Sequence, residues 1–310
     1  MSSARSSASL PRVVVTGAGG QLGTDLLLAL ERGPRSPAHQ GLTRAECDIV
    51  DPHRVRSVLS DQARAAEGAG LVVVNAAAYT NVDGAESEEA AAYAINAAGT
   101  AHLAMVCAEL GARLVHVSTD YVFAGDGTSP YEATDAPDPR TAYGRTKLAG
   151  EQAVQVLLGA NGFVVRSGWL YGRTGPNFVK TMLRLAGERN QLQVVDDQRG
   201  APTWTAQLAE RLLELALADV PGGIYHCSAA GATTWFAFAR AIFERAGLDP
   251  ARVQPSTTAA LARPAPRPAY SVLSARSWTG AGLTPLPAWD EQLDAAVASI
   301  GPELGFPPPA

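Results

Sequence analysis

The chain has 310 residues, 46% hydrophobic and 18% charged, with a formal net charge of −5. That is enough apolar material for a sizeable core, as one large domain or two interleaved lobes. The negative balance and the lack of a dense Lys/Arg block argue against nucleic acid or an anionic membrane as partner, so an anionic ligand must be met by local groups.

In chain order, residues 1–11 are rich in Ser, Ala and Arg, lack an apolar h-region, and read as a disordered tail and not a secretory signal. Val13 to Val15 predicts a strand, followed by a Gly-rich turn and a helix over Leu22 to Arg32. A second strand is expected around Gly41 to Arg44, after an irregular stretch from Arg32 to Gln40. Helical runs Arg54 to Ala66, Ala97 to Leu110 and Gly150 to Leu158 alternate with apolar strands Leu71 to Val74, Leu114 to Val117 and Phe163 to Val165. Near-continuously apolar strands separated by helices indicate a parallel sheet covered on both faces, the doubly wound α/β pattern.

After about Tyr171, Pro, Gly and aromatics become frequent and strands less evident. Asn177 to Glu188, Thr205 to Ala218 and Trp235 to Ala246 read as helices, Ile224 to His226 as a short strand, and Pro255 to Pro268 as an ordered crossing loop. The division expected is a dinucleotide-binding Rossmann domain over 12–170 and a smaller substrate-binding lobe over 171–304. Elements of that lobe return to the first domain, and a flexible tail follows at 305–310. No 18-residue apolar stretch is found, so no membrane span is expected and the protein reads as cytoplasmic. Cys47, Cys107 and Cys227 are too few and too scattered for a disulfide scaffold or a C-x-x-C motif, and read as buried free thiols. The five histidines show no zinc-site spacing, so no metal is expected.

Gly17, Gly20 and Gly23 stand in a G-x-x-G-x-x-G spacing between the first strand and its helix. The first permits a tight turn, the second lets the backbone approach a pyrophosphate, and the third lets helix and strand pack closely. The helix N-terminus then offers free N–H groups to the anion. At the end of the second strand stands Arg44, with no carboxylate, which favours a 2′-phosphate and hence NADPH, with NADH as the alternative. Asp48 is placed to accept from an adenine amino group, and Ile49 to flank the ring.

Tyr143 and Lys147 form Y-x-x-x-K, which puts a phenol and an ammonium on one helix face. A nearby cation would favour phenolate and lower the Tyr143 pKa, suiting an acid that works near neutral pH. Ser118 to Phe123 follows one apolar strand, Asn75-Ala76-Ala77-Ala78 ends the strand before it, and Asn96 falls in the helix between.

With these stretches assembled, the chain resembles the extended short-chain dehydrogenase/reductase family and, within it, the dTDP-4-dehydrorhamnose reductases. TGAGGQLG, NAAAYTNVDGAESE, STDYVF, YGRTKLAGE, NFVKTMLRLA, DDQRGAPTW and RPAYSVL run in family order from Val13 to about Leu273. The resemblance implies an NADPH-dependent 4-ketoreductase of a dTDP-4-keto-6-deoxyhexose, monomeric or homodimeric. Tyr143 would donate the proton, Lys147 hold the nicotinamide ribose, Thr119 orient the ketone, and Asn96 assist through backbone order or water. The cofactor set becomes Gly17, Gly20, Gln21, Leu22, Gly23, Arg44, Asp48, Ile49, Asn75, Ala76 and Ala77, with Tyr143 and Lys147. The substrate set implied is Val82, Asp83, Tyr121, Trp169, Asn177, Gln198 and Arg267, with Trp169 packing on the hexose and Arg267 pairing with the diphosphate.

The chain departs from its relatives in carrying Thr43-Arg44 where an acidic residue followed by Arg is common. The competing readings are a sugar-nucleotide epimerase, a dehydratase, or a non-catalytic regulatory subunit on the same fold. A dehydratase would carry Asp-Glu after the Thr, whereas Tyr121 follows Asp120 here. Intact Tyr143, Lys147 and Thr119 favour an enzyme.

Overall fold

The computed structural model describes residues 10–33 and 36–306. Most of the two expected tails, residues 1–9 and 307–310, lies outside the described residues. The first half runs β1 (Arg12–Thr16), α1 (Gln21–Arg32), β2 (His39–Leu42), α2 (Pro52–Ala65), β3 (Leu71–Asn75), α3 (Val82–Ala85), α4 (Glu89–Tyr93), a π-helical stretch (Ala94–Gly99), α5 (Thr100–Leu110), β4 (Arg113–Thr119), α6 (Ala142–Leu158) and β5 (Gly162–Ser167). The second half runs β6 (Leu170–Tyr171), α7 (Phe178–Glu188), β7 (Leu192–Val195), β8 (Arg199–Gly200), β9 (Thr203–Trp204), α8 (Thr205–Leu217), β10 (Gly223–His226), β11 (Thr233–Thr234), α9 (Trp235–Arg245), β12 (Val253–Ser256), α10 (Arg276–Gly280) and α11 (Trp289–Leu304).

Six strands form one sheet in the order β10-β5-β4-β3-β1-β2, and every pairing is parallel. The fold is therefore a doubly wound α/β architecture. Alternate side chains explain why its strands read as unbroken apolar runs. Val13, Val15, Val72, Val74 and Val165 face one layer, built on Leu22, Leu26 and Leu30 of α1 and on Leu208 and Leu212 of α8. Val14, Val73, Leu114 and Val164 face the other, built on Val55 and Leu59 of α2, Leu103 of α5 and Val154 of α6. Each such side chain, fully buried, contributes roughly 1.5–3 kcal/mol. The order of strand addition reverses between β1 and β3, and in such sheets ligands bind beyond the carboxyl ends at that switch point.

β10 lies beyond Tyr171 in sequence yet completes this sheet. The rest of the second half has its own core, in which Val179, Met182, Phe238, Ile242, Leu293 and Ile300 join α7, α9 and α11. The short strands there, which the sequence pattern barely shows, pair as β6 with β9, β8 with β11 and β7 with β12. β12 takes in Pro255 and Ser256 from the expected crossing loop.

One expectation is corrected. The second strand ends at Leu42, two residues before Arg44, because Glu46 folds back to accept from the Thr43 N–H and hydroxyl, each at 2.8 Å, and starts a turn. The run Glu89–Leu110 is long and apolar enough to cross a membrane by length and composition alone. It arises where three helical segments join end to end, and Leu103, Val106 and Cys107 on it are core residues packed with α2 and the sheet.

Candidate active site

The turn after β1 is shaped by contact. Gly17 has φ +71°, and a Cβ there would lie 2.6 Å from the Ala77 backbone nitrogen. A Cβ on Gly23 would lie 2.1 Å from the Gly17 carbonyl oxygen. α1 therefore starts against the loop, and no side chain caps its N-terminal Gly20. Its first N–H groups are left for an acceptor from outside, the arrangement that suits a phosphate.

Over this loop opens a cavity of about 360 Å³ lined by Gly17, Gly19, Gly20, Thr43, Arg44, Cys47, Asp48, Ile49, Ala76, Ala77, Ala78 and Ile95. Seven residues of the expected cofactor set are on its wall. Leu22 is not, since its side chain lies in the core under the sheet. Gln21 is off the wall too, its side chain accepting from Asn177 at 3.4 Å. Gly23 acts through packing. Asn75 is also off the wall. It is fully buried and its amide is spent on Thr16, Ala77 and His116. Arg44 stands 79% exposed at the rim, its Nε 3.1 Å from Asp48 Oδ2. The expectation of a strand end without carboxylates is thus corrected by Glu46 and Asp48, which the turn brings back to it.

The catalytic group gathers at the carboxyl end of β4 and the start of α6. Thr141 caps α6 by accepting from the Gly144 N–H at 3.0 Å. Gly144 lets the helix press on the 120–122 turn, since a Cβ there would meet the Tyr121 carbonyl oxygen at 2.2 Å. That contact brings Tyr143 edge-on to Tyr121, ring centroids 5.6 Å apart. Thr119 ends β4, donates to Asp120 Oδ1 at 2.9 Å and accepts from the Tyr121 N–H at 3.2 Å. Burial pushes the Tyr143 phenol up to about 12, against a hydrogen bond with Thr119 that lowers it.

This is opposite to the expected lysine effect. Lys147 is buried and turned into the sheet, where Nζ donates to the Val117 carbonyl oxygen at 2.6 Å and lies 3.3 Å from His116 Nε2. Burial brings its pKa down to about 8, with Glu151 pulling the other way. Tyr143 therefore stays protonated across the physiological range and is suited to give a proton. Asn96 makes a two-way bond with the Tyr79 backbone, accepting at 2.9 Å and donating at 3.1 Å, and donates to Thr146 Oγ1 at 3.0 Å. Fully buried, it braces the loop after β3 against α6. The π-helical turn that carries it is a distortion often found at functional sites.

A second cavity, about 580 Å³, has Tyr121, Trp169, Phe178, Gln198, Trp235, Arg263, Arg267 and Ser271 among its walls. Tyr121, Trp169, Gln198 and Arg267 of the expected substrate set are there. Val82 packs beside Tyr121 and Tyr143. Trp169, strained at φ +53°, stacks on Trp235 at 3.6 Å, so one ring face is already covered. Asn177 is corrected from ligand contact to helix cap, since it accepts from the Lys180 N–H at 3.1 Å and donates to the Gly172 carbonyl at 2.8 Å. Asp83 meets Arg267 at 2.8 Å, Arg263 at 3.3 Å and the Ala265 N–H at 3.2 Å. Partial burial works to raise its pKa, and these donors outweigh it and hold the carboxyl below its usual range.

Sequence reasoning missed His116, Asp120, Trp235 and Arg263. Asp120 is buried and its pKa is pushed up to about 6 by that burial, against donors that include Ser271 and Thr119. A polar residue in the apolar run LVHVS was the available signal for His116. Among the described residues no group of three or more His, Cys, Asp or Glu is placed to hold a metal ion.

A family model described as the RmlD substrate binding domain matches residues 11–301. A dTDP-4-dehydrorhamnose reductase of Streptomyces griseus is 48% identical over 303 residues, 96% of this chain and 97% of its own length. Another from Mycobacterium tuberculosis is 50% identical over 293 residues, 93% of each chain. Among solved structures, dTDP-4-dehydrorhamnose reductase from Bacillus anthracis in complex with NADP superposes with a TM-score of 0.87 at 38% identity, covering 93% of this chain and 99% of that one.

Proposed function

We propose that this chain, which belongs to the family of the RmlD substrate binding domain and is an oxidoreductase, uses NADPH to reduce the C4 ketone of dTDP-4-dehydrorhamnose or a close relative. The observation that carries the reading is Tyr143. It is a buried, protonated phenol beside Thr119 whose neighbour Tyr121 lines the larger cavity, while Asn96 ties its helix to the loop bordering the smaller one.

The residues present fit a dinucleotide. The uncapped start of α1 and the close approach of Gly17 to Ala77 make a cradle for phosphates, and Arg44 stands at the rim. Ala76, Ala77 and Ile49 give the smaller cavity an apolar wall. When bound, the nicotinamide supplies the hydride. Thr119, turning its one proton from Asp120 Oδ1 to the ketone oxygen, and Tyr143 then hold that oxygen from two directions, and Tyr143 Oη gives it the proton. Lys147, as ammonium, favours the phenolate left behind. In the larger cavity, Arg267 and Arg263 provide cations for a nucleoside diphosphate, and Trp169, Trp235 and Phe178 an aromatic wall. Binding energy from that remote part of the substrate is then available to position the reacting carbon.

The test is to supply dTDP-4-keto-6-deoxyglucose and NADPH, with and without a 3,5-epimerase, and determine the product's stereochemistry. Oxidation of NADPH with reduction at C4 is expected, and the arm that turns over names the sugar. No NADPH oxidation in either arm refutes the reading.

A further inference from the structure

The sheet register sets three polar residues side by side at the carboxyl end of the apolar sheet. Thr16 of β1 pairs with Asn75 of β3, and Asn75 pairs with His116 of β4. Hydrogen-bond accounting fixes their protons. Asn75 Oδ1 accepts from the Ala77 N–H at 3.1 Å and from Thr16 Oγ1 at 2.7 Å. A backbone amide only donates, so the Asn75 amide cannot be turned over without setting two donors against each other. Its Nδ2 therefore donates to His116 Nδ1, 3.0 Å away. Thr100 Oγ1, which gives its own proton to the Asn96 carbonyl at 2.8 Å, is left to accept from the same nitrogen. His116 Nδ1 is an acceptor, so a neutral ring carries its proton on Nε2. That N–H points at Lys147 Nζ, 3.3 Å away.

We infer that His116 is a positioning residue that sets the charge state of Lys147, presenting a donor to the lysine nitrogen where an ammonium would need an acceptor. The amine form fits without conflict, with one hydrogen to the Val117 carbonyl and its lone pair to His116 Nε2–H. The ammonium meets the imidazole N–H head-on. Burial and Lys147 itself hold His116 well below its usual pKa, so the ring stays neutral. The other charged or titratable groups are accounted for. Glu151, one turn along α6, favours the ammonium but is locked to Arg166 of β5 and to Ser118 of β4. Tyr143 and Asp120 lie on the Thr119 side. The neutral polar groups bonded beside the pair are Asn75 of β3, which reaches His116 and Thr100 of α5, and Asn96 of the π-helical turn, which reaches Thr146 of α6.

The inference rests on Lys147 assisting Tyr143 as ammonium, and its first test does not. Long-range ¹H–¹⁵N spectra of the ¹⁵N-labelled protein, without substrate, report the tautomer of each histidine, and His116→Gln identifies the His116 signals by their loss. The Nε2–H tautomer is expected, and Nδ1–H overturns the inference. The second test is the pH profile of kcat/KM, in which activity falls on the alkaline side as Lys147 loses its proton. Removing the donor in His116→Leu should move that limb up by about one pH unit, one hydrogen bond's worth. In His116→Gln, Asn75 directs the new Oε1 to itself and leaves an amide N–H toward Lys147, so the limb should stay near wild type. A limb that moves alike in both variants, or in neither, overturns the inference. If His116→Leu does not fold, the wild-type tautomer decides. A failure of the catalytic reading looks different, with Tyr143→Phe still turning over while His116 keeps the expected tautomer.

Discussion

Gly23→Ala tests whether the loop after β1 is a phosphate cradle. The added Cβ would sit 2.1 Å from the Gly17 carbonyl oxygen and 2.8 Å from Ala18 Cα. Ordinary contact begins near 3.4 Å, so loop and helix must separate by roughly 1.3 Å, the difference between 3.4 and 2.1. The loop has nowhere to retreat, because Gly17 already touches the Ala77 backbone on its far side. Overpacking of this kind costs about 1–3 kcal/mol of stability, which a chain of this size can absorb. The larger effect falls on the N–H groups at the head of α1, which lose their common aim. Misaligning one or two charge-assisted hydrogen bonds, at about 1.5–3 kcal/mol each, weakens NADPH binding by roughly 10- to 10⁴-fold. Fluorescence titration with NADPH at fixed ionic strength, beside a circular-dichroism melt, separates the two effects. A folded variant whose Kd stays within a few-fold of wild type refutes the cradle.

Tyr143→Phe should keep NADPH binding and lose about 10²-fold or more in kcat, the usual cost of removing a general acid; steady-state turnover with parallel cofactor titration checks it. Arg44→Ala should narrow the NADPH-over-NADH ratio of kcat/KM, mainly through KM, by about tenfold or less, since Arg44 is exposed and shared with Asp48. A ratio unchanged by the substitution makes Arg44 a surface charge only. Glu151→Gln leaves buried Arg166 without its carboxylate, and breaking such a pair costs about 3–5 kcal/mol. At roughly 2–4 °C per kcal/mol, calorimetry should show Tm lower by about 6–20 °C.

What was legible in the sequence is what is decided locally. Val13 to Val15 and Leu71 to Val74 read as buried parallel strands because both faces are covered, so neither needs a polar side chain. The Gly17 turn is a matter of one backbone angle and two close approaches. Tyr143 and Lys147 share a face because helix geometry puts them there. What escaped depends on distance or on a competing local bond. Asp83 reaches Arg267, 184 positions on, and no pattern near either residue shows it. Trp169 spends a ring face on Trp235, which a family likeness does not reveal. Glu46 is three residues from Thr43, yet its return depends on the strand ending at Leu42. Asn177, directly before an apolar helical run, carried a readable N-cap signal, and the resemblance to a substrate contact overrode it. The direction of Lys147 depends on which acceptors β4 exposes inside the protein.

The buried polar groups at the end of the sheet raise a question of energy. A sheet walled by valine and leucine would be cheaper to fold without Thr16, Asn75, His116, Ser118, Glu151 and Arg166, since each must be bonded or cost its desolvation. All six are buried and joined in two groups, Thr16–Asn75–His116 and Ser118–Glu151–Arg166. The first group ends on Lys147. The second joins β4, two residues after His116, to α6, one turn after Lys147, and to β5. Together they fix β4 relative to α6 at the point where Thr119 must face Tyr143. Apolar packing alone tolerates small slides, because dispersion contacts are many and weak. Directional bonds do not, and a proton donor has to hold its place within a few tenths of an ångström. The polar ladders exchange folding stability for register, and they do so at the one edge of the sheet where the reaction requires it.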